Sequence, residues 1–110
     1  MKAKTTGRPA SKPLLLIVDD EPNFSESLQM ALEESFSISL VQTVQSARNY
    51  FMENLPDAML IDLKLPDGDG TELLQDIKEL NPIPVVIMMT AYATVENAVK
   101  AVKDGASDYL

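Results

Sequence analysis

Residues 58–70 read Ala-Met-Leu-Ile-Asp-Leu-Lys-Leu-Pro-Asp-Gly-Asp-Gly, an apolar run followed by an acid and a turn rich in proline and glycine. A short apolar run bounded by polar residues is typical of a β-strand that is covered on both faces. Asp62 stands where that strand is predicted to end, and Pro66, Gly68 and Gly70 predict a turn behind it. The segment therefore predicts a buried strand that delivers one carboxylate to a loop.

Three more short runs predict strands, at residues 14–18, 37–41 and 85–89. The second alternates isoleucine and leucine with serine, as an edge strand would. Segments with helical spacing of apolar residues follow the strands. They are built on Phe24, Leu28, Ala31 and Leu32 behind Pro22, on Ala47, Tyr50, Phe51 and Leu55 behind Ser46 as N-cap, on Leu73, Leu74, Ile77 and Leu80, and on Val95, Ala98, Val99 and Val102 between Thr94 and Gly105.

The order of these segments is strand then helix, repeated four times, and residues 107–110 predict the start of a fifth strand. Such alternation favours an α/β fold with a doubly wound parallel sheet. Helices would cover both faces of the sheet, joined to it by right-handed crossovers.

The composition is that of one ordinary globular domain, with 110 residues, 45% hydrophobic and 24% charged. The sequence contains no cysteine and no histidine. Disulfides, thiolate metal sites and histidine acid–base catalysis are therefore excluded within it. Carboxylates, hydroxyls and lysines are left to carry any chemistry.

Charge is unevenly distributed along the chain, whose net charge is −8. Four of the nine basic residues lie in the first 13 positions, and all 17 acidic residues follow them. We expect residues 1–13 to form a disordered basic tail and residues 14–110 to form one acidic domain. An acidic domain repels a phosphate backbone, which predicts no direct contact with nucleic acid.

Because no early apolar run is long enough for a signal peptide or a membrane segment, we expect a cytoplasmic protein that does not contact membranes.

Acidic and hydroxyl side chains follow the predicted strands at the points where those strands end. Asp19 and Asp20 follow the first strand, Asp62 the third and Thr90 the fourth. In a parallel sheet of this kind these ends meet at one edge, where ligands bind. A divalent cation would relieve the repulsion among the three carboxylates, and Mg²⁺ is the natural choice when only oxygen ligands are offered.

Four motifs in this order resemble those of the receiver domain of two-component response regulators. They are Val18-Asp19-Asp20-Glu21, Asp62-Leu63-Lys64-Leu65-Pro66-Asp67-Gly68-Asp69-Gly70, Met89-Thr90-Ala91 and Gly105-Ala106-Ser107-Asp108-Tyr109. The resemblance covers residues 14–110 and implies a flavodoxin-like fold with strand order 2-1-3-4-5. The sequences of residues 62–74 and 91–110 are most similar to receivers of sigma-54-dependent transcription activators, which implies a transcriptional output domain.

The resemblance implies that Asp62 accepts a phosphoryl group from a sensor histidine kinase. Asp20, Asp62 and the backbone carbonyl of Lys64 would bind Mg²⁺ directly, and Asp19 would hold one of its water ligands. A carboxylate can form an acyl phosphate, so the residue type suits that role. The domain would then be a signalling phosphoacceptor and not an enzyme, since it would catalyse only its own phosphorylation and dephosphorylation.

Further roles follow from the same resemblance. Thr90 would donate a hydrogen bond to the phosphoryl group, and Tyr109 would turn inward as Thr90 moves, which relays the signal as a conformational switch. Lys64 and Tyr92 stand two positions after Asp62 and Thr90. These two side chains would border the path of an attacking water and set the lifetime of the phosphoryl group.

The sequence departs from the family pattern after Tyr109. The family carries a lysine three residues beyond that position, usually followed by proline, whereas this sequence stops at Leu110. We therefore expect a C-terminally truncated receiver that lacks most of strand 5 and all of helix 5. The open sheet edge and the uncovered apolar surface would favour association into a homodimer.

One alternative stays open from the sequence, a receiver fold that acts as a phosphorylation-independent protein-interaction module. The presence of Asp19, Asp20, Asp62 and Thr90 argues against this alternative, whereas the missing lysine argues for it. A phosphatase of the haloacid dehalogenase type would need an aspartate where Lys64 stands. A calcium-binding EF-hand loop beginning at Asp67 would need a glutamate where Lys78 stands.

Overall fold

The structure, a computed structural model, describes residues 12–90 and 93–104 of the chain. The elements in chain order are β1 (Leu14–Val18), α1 (Pro22–Leu32), β2 (Ser37–Val41), α2 (Val44–Glu53), β3 (Ala58–Asp62), β4 (Lys64–Leu65), β5 (Gly68–Asp69), a 3₁₀ turn (Gly70–Glu72), α3 (Leu73–Ile77), β6 (Val85–Met89) and α4 (Val95–Asp104). Among these described elements, no helix has both the length and the apolar composition that crossing a bilayer requires.

Four of the strands form a parallel sheet in the order β2-β1-β3-β6. This confirms the predicted doubly wound arrangement, with β6 in the place of the predicted fourth strand and β2 at the edge. The three other sheet strands were predicted with the same bounds or, for β3, one residue short of Asp62. The predicted fifth strand and the helix stop at Gly105 lie outside the described residues.

Two apolar cores lie on opposite faces of the sheet, because successive side chains of each strand point to opposite sides. On β1, Leu15 and Ile17 pack with α1 and α4 on one face. The neighbouring Leu16 and Val18 pack with α2 and α3 on the other face. All four side chains are fully buried. Each such burial stabilises the fold by about 1.5–3 kcal/mol, so β1 is held firmly where its carboxyl end meets the loop behind it.

The helix starts agree with the sequence in two cases and differ in one. Pro22 is the first residue of α1, and the Thr94 hydroxyl accepts a hydrogen bond from the Asn97 N–H at the start of α4 (3.1 Å). The prediction of Ser46 as the N-cap of α2 is wrong, because Thr43 has the extended backbone of an N-cap. Thr43 Oγ1 accepts from the Ser46 N–H (3.0 Å), and Ser46 Oγ accepts from the Thr43 N–H (3.1 Å). Ser46 is thus the inner half of a capping box that begins the helix three residues earlier.

Three predicted helix positions are placed differently by the structure. Leu55 lies past the end of α2 and is 38% exposed. Ala31 lies on the exposed side of α1, and Ser25 occupies the buried side instead. Leu80 packs against the core, but α3 has already ended at Ile77, and the Leu80 N–H donates to the Ile77 carbonyl in a tighter turn (3.0 Å). Of these three residues, Leu80 alone packs against the core, and it does so from beyond the end of its helix.

Most of the predicted basic tail, residues 1–11, lies outside the described residues. The carbonyl of Pro13 accepts a hydrogen bond from the Ser37 N–H (2.9 Å), next to the first pair of β1 and β2. The Lys12 ammonium donates to the carbonyl of Glu33 (3.2 Å). These two residues already contact the folded domain.

Candidate functional site

Three carboxylates meet at the carboxyl edge of the sheet. The register pairs Val18 of β1 with Ile61 of β3, so the next residues along each strand, Asp19 and Asp62, come level with each other. Asp20 follows Asp19 in the loop. One carboxylate oxygen from each of the three acids lies within 4.8 Å of the others. The strand register therefore builds the acidic cluster that the sequence predicted.

Asp19 is the buried member of the cluster, with 4% of its surface exposed. Its Oδ1 atom accepts a hydrogen bond from the Glu21 N–H (2.9 Å). Burial raises the pKa of the Asp19 carboxyl to about 6, and the charges of Asp62 and Asp20 add to the rise against the opposing effect of that hydrogen bond. A bound cation would favour the ionised form of this carboxyl and would oppose the rise in its pKa.

Asp62 is partly buried at the last position of β3. Burial raises the pKa of its carboxyl, and repulsion from Asp20 acts in the same direction. The Lys64 N–H opposes this shift by donating to Asp62 Oδ1 (3.2 Å). That backbone bond holds one carboxylate oxygen in place and leaves the partly exposed side chain accessible to an incoming group.

The turn behind Asp62 is a small β-hairpin. β4 and β5 pair antiparallel with Lys64 opposite Asp69, which leaves Pro66 and Asp67 as a two-residue turn. At the base of the hairpin, the Gly70 N–H donates to the Leu63 carbonyl (2.8 Å). The sequence predicted the turn here, but it did not predict the pairing.

Gly70 lies so close to the end of β3 that no side chain fits. A β-carbon at this position would overlap the carbonyl oxygen of Asp62 and would lie 2.8 Å from Cγ2 of Ile61. The glycine therefore lets the 3₁₀ turn pass directly against the backbone of Asp62.

Asp67 lies in the hairpin turn behind Asp62, and its role was not predicted from the sequence. Its Oδ1 accepts a hydrogen bond from the Val44 N–H (2.8 Å), and its Oδ2 accepts from the Gln45 N–H (3.0 Å). These two bonds hold the pKa of the Asp67 carboxyl below its ordinary value. The partners lie 23 and 22 residues away along the chain, so no local pattern marks them.

The acidic cluster lines a cleft of about 520 Å³ that also includes Lys64 and Thr90. Thr90 follows β6 directly, and its carbonyl accepts a hydrogen bond from the Ala93 N–H (3.1 Å). The structure thus brings together Asp19, Asp20, Asp62, Lys64 and Thr90, all of them predicted site residues. The predicted lifetime residue Tyr92 and the predicted switch residue Tyr109 lie outside the described residues.

The donor set of the cluster fits a hard divalent cation. All its ligand atoms are oxygens, two of the three acids are at least partly exposed, and the cleft leaves room for water. Mg²⁺ is bound by one or two carboxylates and keeps several of its waters, so Asp20 and Asp62 with water suffice for it.

Comparison with known proteins agrees with this geometry. The family model described as the response regulator receiver domain matches residues 15–110. Response regulator protein PilR of Pseudomonas aeruginosa is 38% identical over 101 residues, which are 91% of this chain and 23% of PilR. Transcriptional regulatory protein ZraR of Escherichia coli is 38% identical over 97 residues, which are 87% of this chain and 22% of ZraR. The chain therefore spans less than a quarter of these two relatives.

A solved receiver structure supports the same fold. The response regulator receiver domain protein of Methanospirillum hungatei superposes with a TM-score of 0.73 at 35% sequence identity. The match covers 91% of this chain and 81% of that protein.

Proposed function

The chain belongs to the response regulator receiver domain family, and on this basis we propose that it is a phosphoacceptor whose Asp62 takes a phosphoryl group from a sensor histidine kinase. The observation that carries the proposal is the cluster of Asp19, Asp20 and Asp62 at the carboxyl edge of the sheet. Of the three, Asp62 combines partial exposure with a backbone hydrogen bond that fixes one of its oxygens.

The proposed reaction is a direct phosphoryl transfer to Asp62. A carboxylate oxygen of Asp62 forms a bond to phosphorus, the phosphorus–nitrogen bond of the phosphohistidine breaks, and its electron pair stays on the imidazole nitrogen. Such transfers depend mainly on positioning and on charge stabilisation. The Lys64 N–H would contribute to this positioning, because it donates a hydrogen bond to Asp62 Oδ1.

Magnesium would be held by Asp20, Asp62 and the carbonyl of Lys64, with Asp19 holding a bound water. The ion supplies positive charge that offsets the charge of the phosphoryl oxygens. Asp19 is suited to its part because it is buried and its own orientation is fixed by the Glu21 N–H. Asp20 is exposed, which leaves it free to turn toward the ion.

We propose that Thr90 detects the phosphoryl group through its hydroxyl. Its place in the same cleft as Asp62 supports this role. The coupled inward turn of Tyr109 stays a prediction from the family resemblance. The output we propose is transcription, because relatives such as ZraR are named transcriptional regulatory proteins. The sigma-54-dependent type stays a prediction from the family resemblance. Association into a homodimer also stays a prediction.

A titration with fluoroberyllate tests this function against the protein-interaction alternative. Fluoroberyllate attaches to a phosphoacceptor carboxylate and imitates the acyl phosphate. We expect the intact protein to bind it only when Mg²⁺ is present, and we expect Asp62→Ala to bind none. No binding to the parent protein would contradict the proposal and favour the interaction module. Binding that survives in Asp62→Ala would contradict the assignment of Asp62 as the acceptor.

A further inference from the structure

The first turn of α2 has a hydrogen-bond partner for each of its four free N–H groups. Two of the four belong to the capping box, since the Thr43 N–H donates to Ser46 Oγ (3.1 Å) and the Ser46 N–H donates to the Thr43 hydroxyl (3.0 Å). The other two N–H groups donate to the carboxylate of Asp67 (2.8 and 3.0 Å). A distant side chain therefore completes the cap of this helix.

Asp67 stands at the tip of the hairpin that carries Lys64. The hairpin forms a separate two-stranded sheet and does not pair with the main sheet. Its base is tied down by backbone bonds from the Leu63 N–H to the Met89 carbonyl (3.1 Å) and from the Gly70 N–H to the Leu63 carbonyl (2.8 Å). Among the described hydrogen bonds, the two that Asp67 accepts at the tip are the ones that join the hairpin to the start of α2.

The electrostatics of this contact favour a charged carboxylate. The positive end of the α2 dipole faces Asp67, and the Arg48 guanidinium one turn further along α2 acts in the same direction. The backbone bonds from Val44 and Gln45 keep the pKa of Asp67 below its ordinary value, and the charge of Arg48 adds to this effect. Asp67 is therefore ionised at neutral pH, and the bonds it accepts are of the strong, charge-assisted kind.

We propose that Asp67 is a positioning residue of the magnesium site, which it supports by anchoring the hairpin that presents the Lys64 carbonyl. This inference rests on the proposed function, because Lys64 is assigned to the ion there. Without the anchor, the hairpin would have to be ordered each time the ion binds, and that entropy cost would weaken the affinity. Asp67 itself does not contact the ion.

The test compares Asp67→Ala with Thr43→Ala in the intact protein. Both variants remove cap bonds from the start of α2, but only Asp67 belongs to the hairpin. The Mg²⁺ dissociation constant is measured by direct titration without a phosphoryl donor, in about 0.3 M KCl so that long-range effects of the lost charge are screened. We expect Asp67→Ala to raise the dissociation constant roughly threefold to tenfold, and Thr43→Ala to change it less than twofold.

A second measurement separates positioning from a loss of folded protein. The rate of phosphorylation by acetyl phosphate is followed as the Mg²⁺ concentration rises. In Asp67→Ala the half-saturating Mg²⁺ concentration should rise by the same factor, with a plateau rate within about twofold of the parent. If Asp67→Ala does not fold, Asp67→Asn replaces it, because the amide oxygen keeps one of the two bonds, and an intermediate effect is expected.

Two results would overturn the inference. One is a dissociation constant for Mg²⁺ that is the same in the Asp67 variants and the parent. The other is an equal loss of affinity in Thr43→Ala, which would assign the effect to the stability of α2. If the parent binds Mg²⁺ but gains no phosphoryl group, the proposed function fails, and the direct titration still decides the role of Asp67.

Discussion

Asp19 and Asp62 stand side by side at the ends of two adjacent parallel strands, one step beyond the pair Val18 and Ile61. Each lies in surroundings that raise its pKa, and burial is the largest cause for both. Two carboxylates held together in this way repel each other in the absence of a cation. The site is therefore built at a cost in stability that a bound cation would relieve.

Asp19→Asn should stabilise the magnesium-free protein at pH 7. The pKa of Asp19 rises from 3.8 to about 6 on folding, so the folded state holds this proton to a higher pH than the unfolded chain does. The stability of the parent therefore falls as the pH rises from about 4 to about 6, and asparagine removes that loss while keeping an oxygen for the Glu21 N–H. Urea unfolding at pH 7 should show a gain of roughly 1–3 kcal/mol.

The pH series contains its own control. At a pH well below 3.8, Asp19 is protonated in both states, so the parent and Asp19→Asn should have similar free energies of unfolding. A variant that is less stable than the parent at pH 7 without magnesium would contradict this account of the buried carboxyl.

Magnesium should stabilise the parent protein, and Asp20→Asn should remove much of that effect. At about ten times the dissociation constant, the free energy of unfolding should rise by about 1.4 kcal/mol. Thermal unfolding with and without millimolar MgCl₂ measures the rise. Glu34→Gln is a matched control, because it loses the same charge from an exposed acid just after α1, at the opposite end of that helix from Asp20. An equal magnesium-induced shift in Asp20→Asn and Glu34→Gln would count against the site.

Much of the fold could be predicted from the sequence because its strands are buried on both faces. Runs such as residues 14–18 and 85–89 are apolar throughout, so their bounds are the points where polar residues begin. Helix starts are harder to predict than strand bounds, because the backbone conformation decides which residue is the N-cap. Ser46 precedes the apolar Ala47 and resembles an N-cap, yet the chain is already helical there, and Thr43 is the cap.

The candidate site was predicted to the extent that parallel strands bring their carboxyl ends together. That rule suffices to place Asp19 and Asp62 side by side. It does not reveal Asp67, whose partners at the start of α2 become neighbours only when α2 and the hairpin pack against the same face of the sheet. Side chains that fix loops through distant backbone groups leave no periodic signal in the sequence.

Gly70→Ala should destabilise the protein by about 2 kcal/mol or more, because its β-carbon would overlap the Asp62 carbonyl in a segment that cannot easily move. Gly68→Ala is the comparison. There the atoms nearest to the new β-carbon belong to the carboxylate end of the Glu72 side chain, although the backbone itself is strained at φ 156°. Denaturant unfolding of both variants should show the larger loss for Gly70→Ala. An equal or smaller loss would mean that the 3₁₀ turn has room to shift.

The phosphorylated protein should lose its phosphoryl group slowly, and Lys64→Asn combined with Tyr92→Glu should speed the loss. Lys64 is an exposed, long side chain at the mouth of the cleft, and the resemblance gives Tyr92 a matching place. Smaller or acidic side chains would admit or orient an attacking water. The rate of hydrolysis should rise roughly tenfold, equivalent to about 1.4 kcal/mol of barrier. An unchanged lifetime in the double variant would show that these side chains do not shield the phosphorus.

The most direct test of the central claim is the intact mass of the protein after incubation with a phosphoryl donor and Mg²⁺. We predict that the parent gains one phosphoryl group that mild base removes, as expected for an acyl phosphate on Asp62. Asp62→Asn keeps the shape of the side chain, removes the nucleophile and should gain none. A base-labile phosphoryl group on Asp62→Asn, formed at the rate of the parent, would contradict the assignment of Asp62 as the phosphoacceptor.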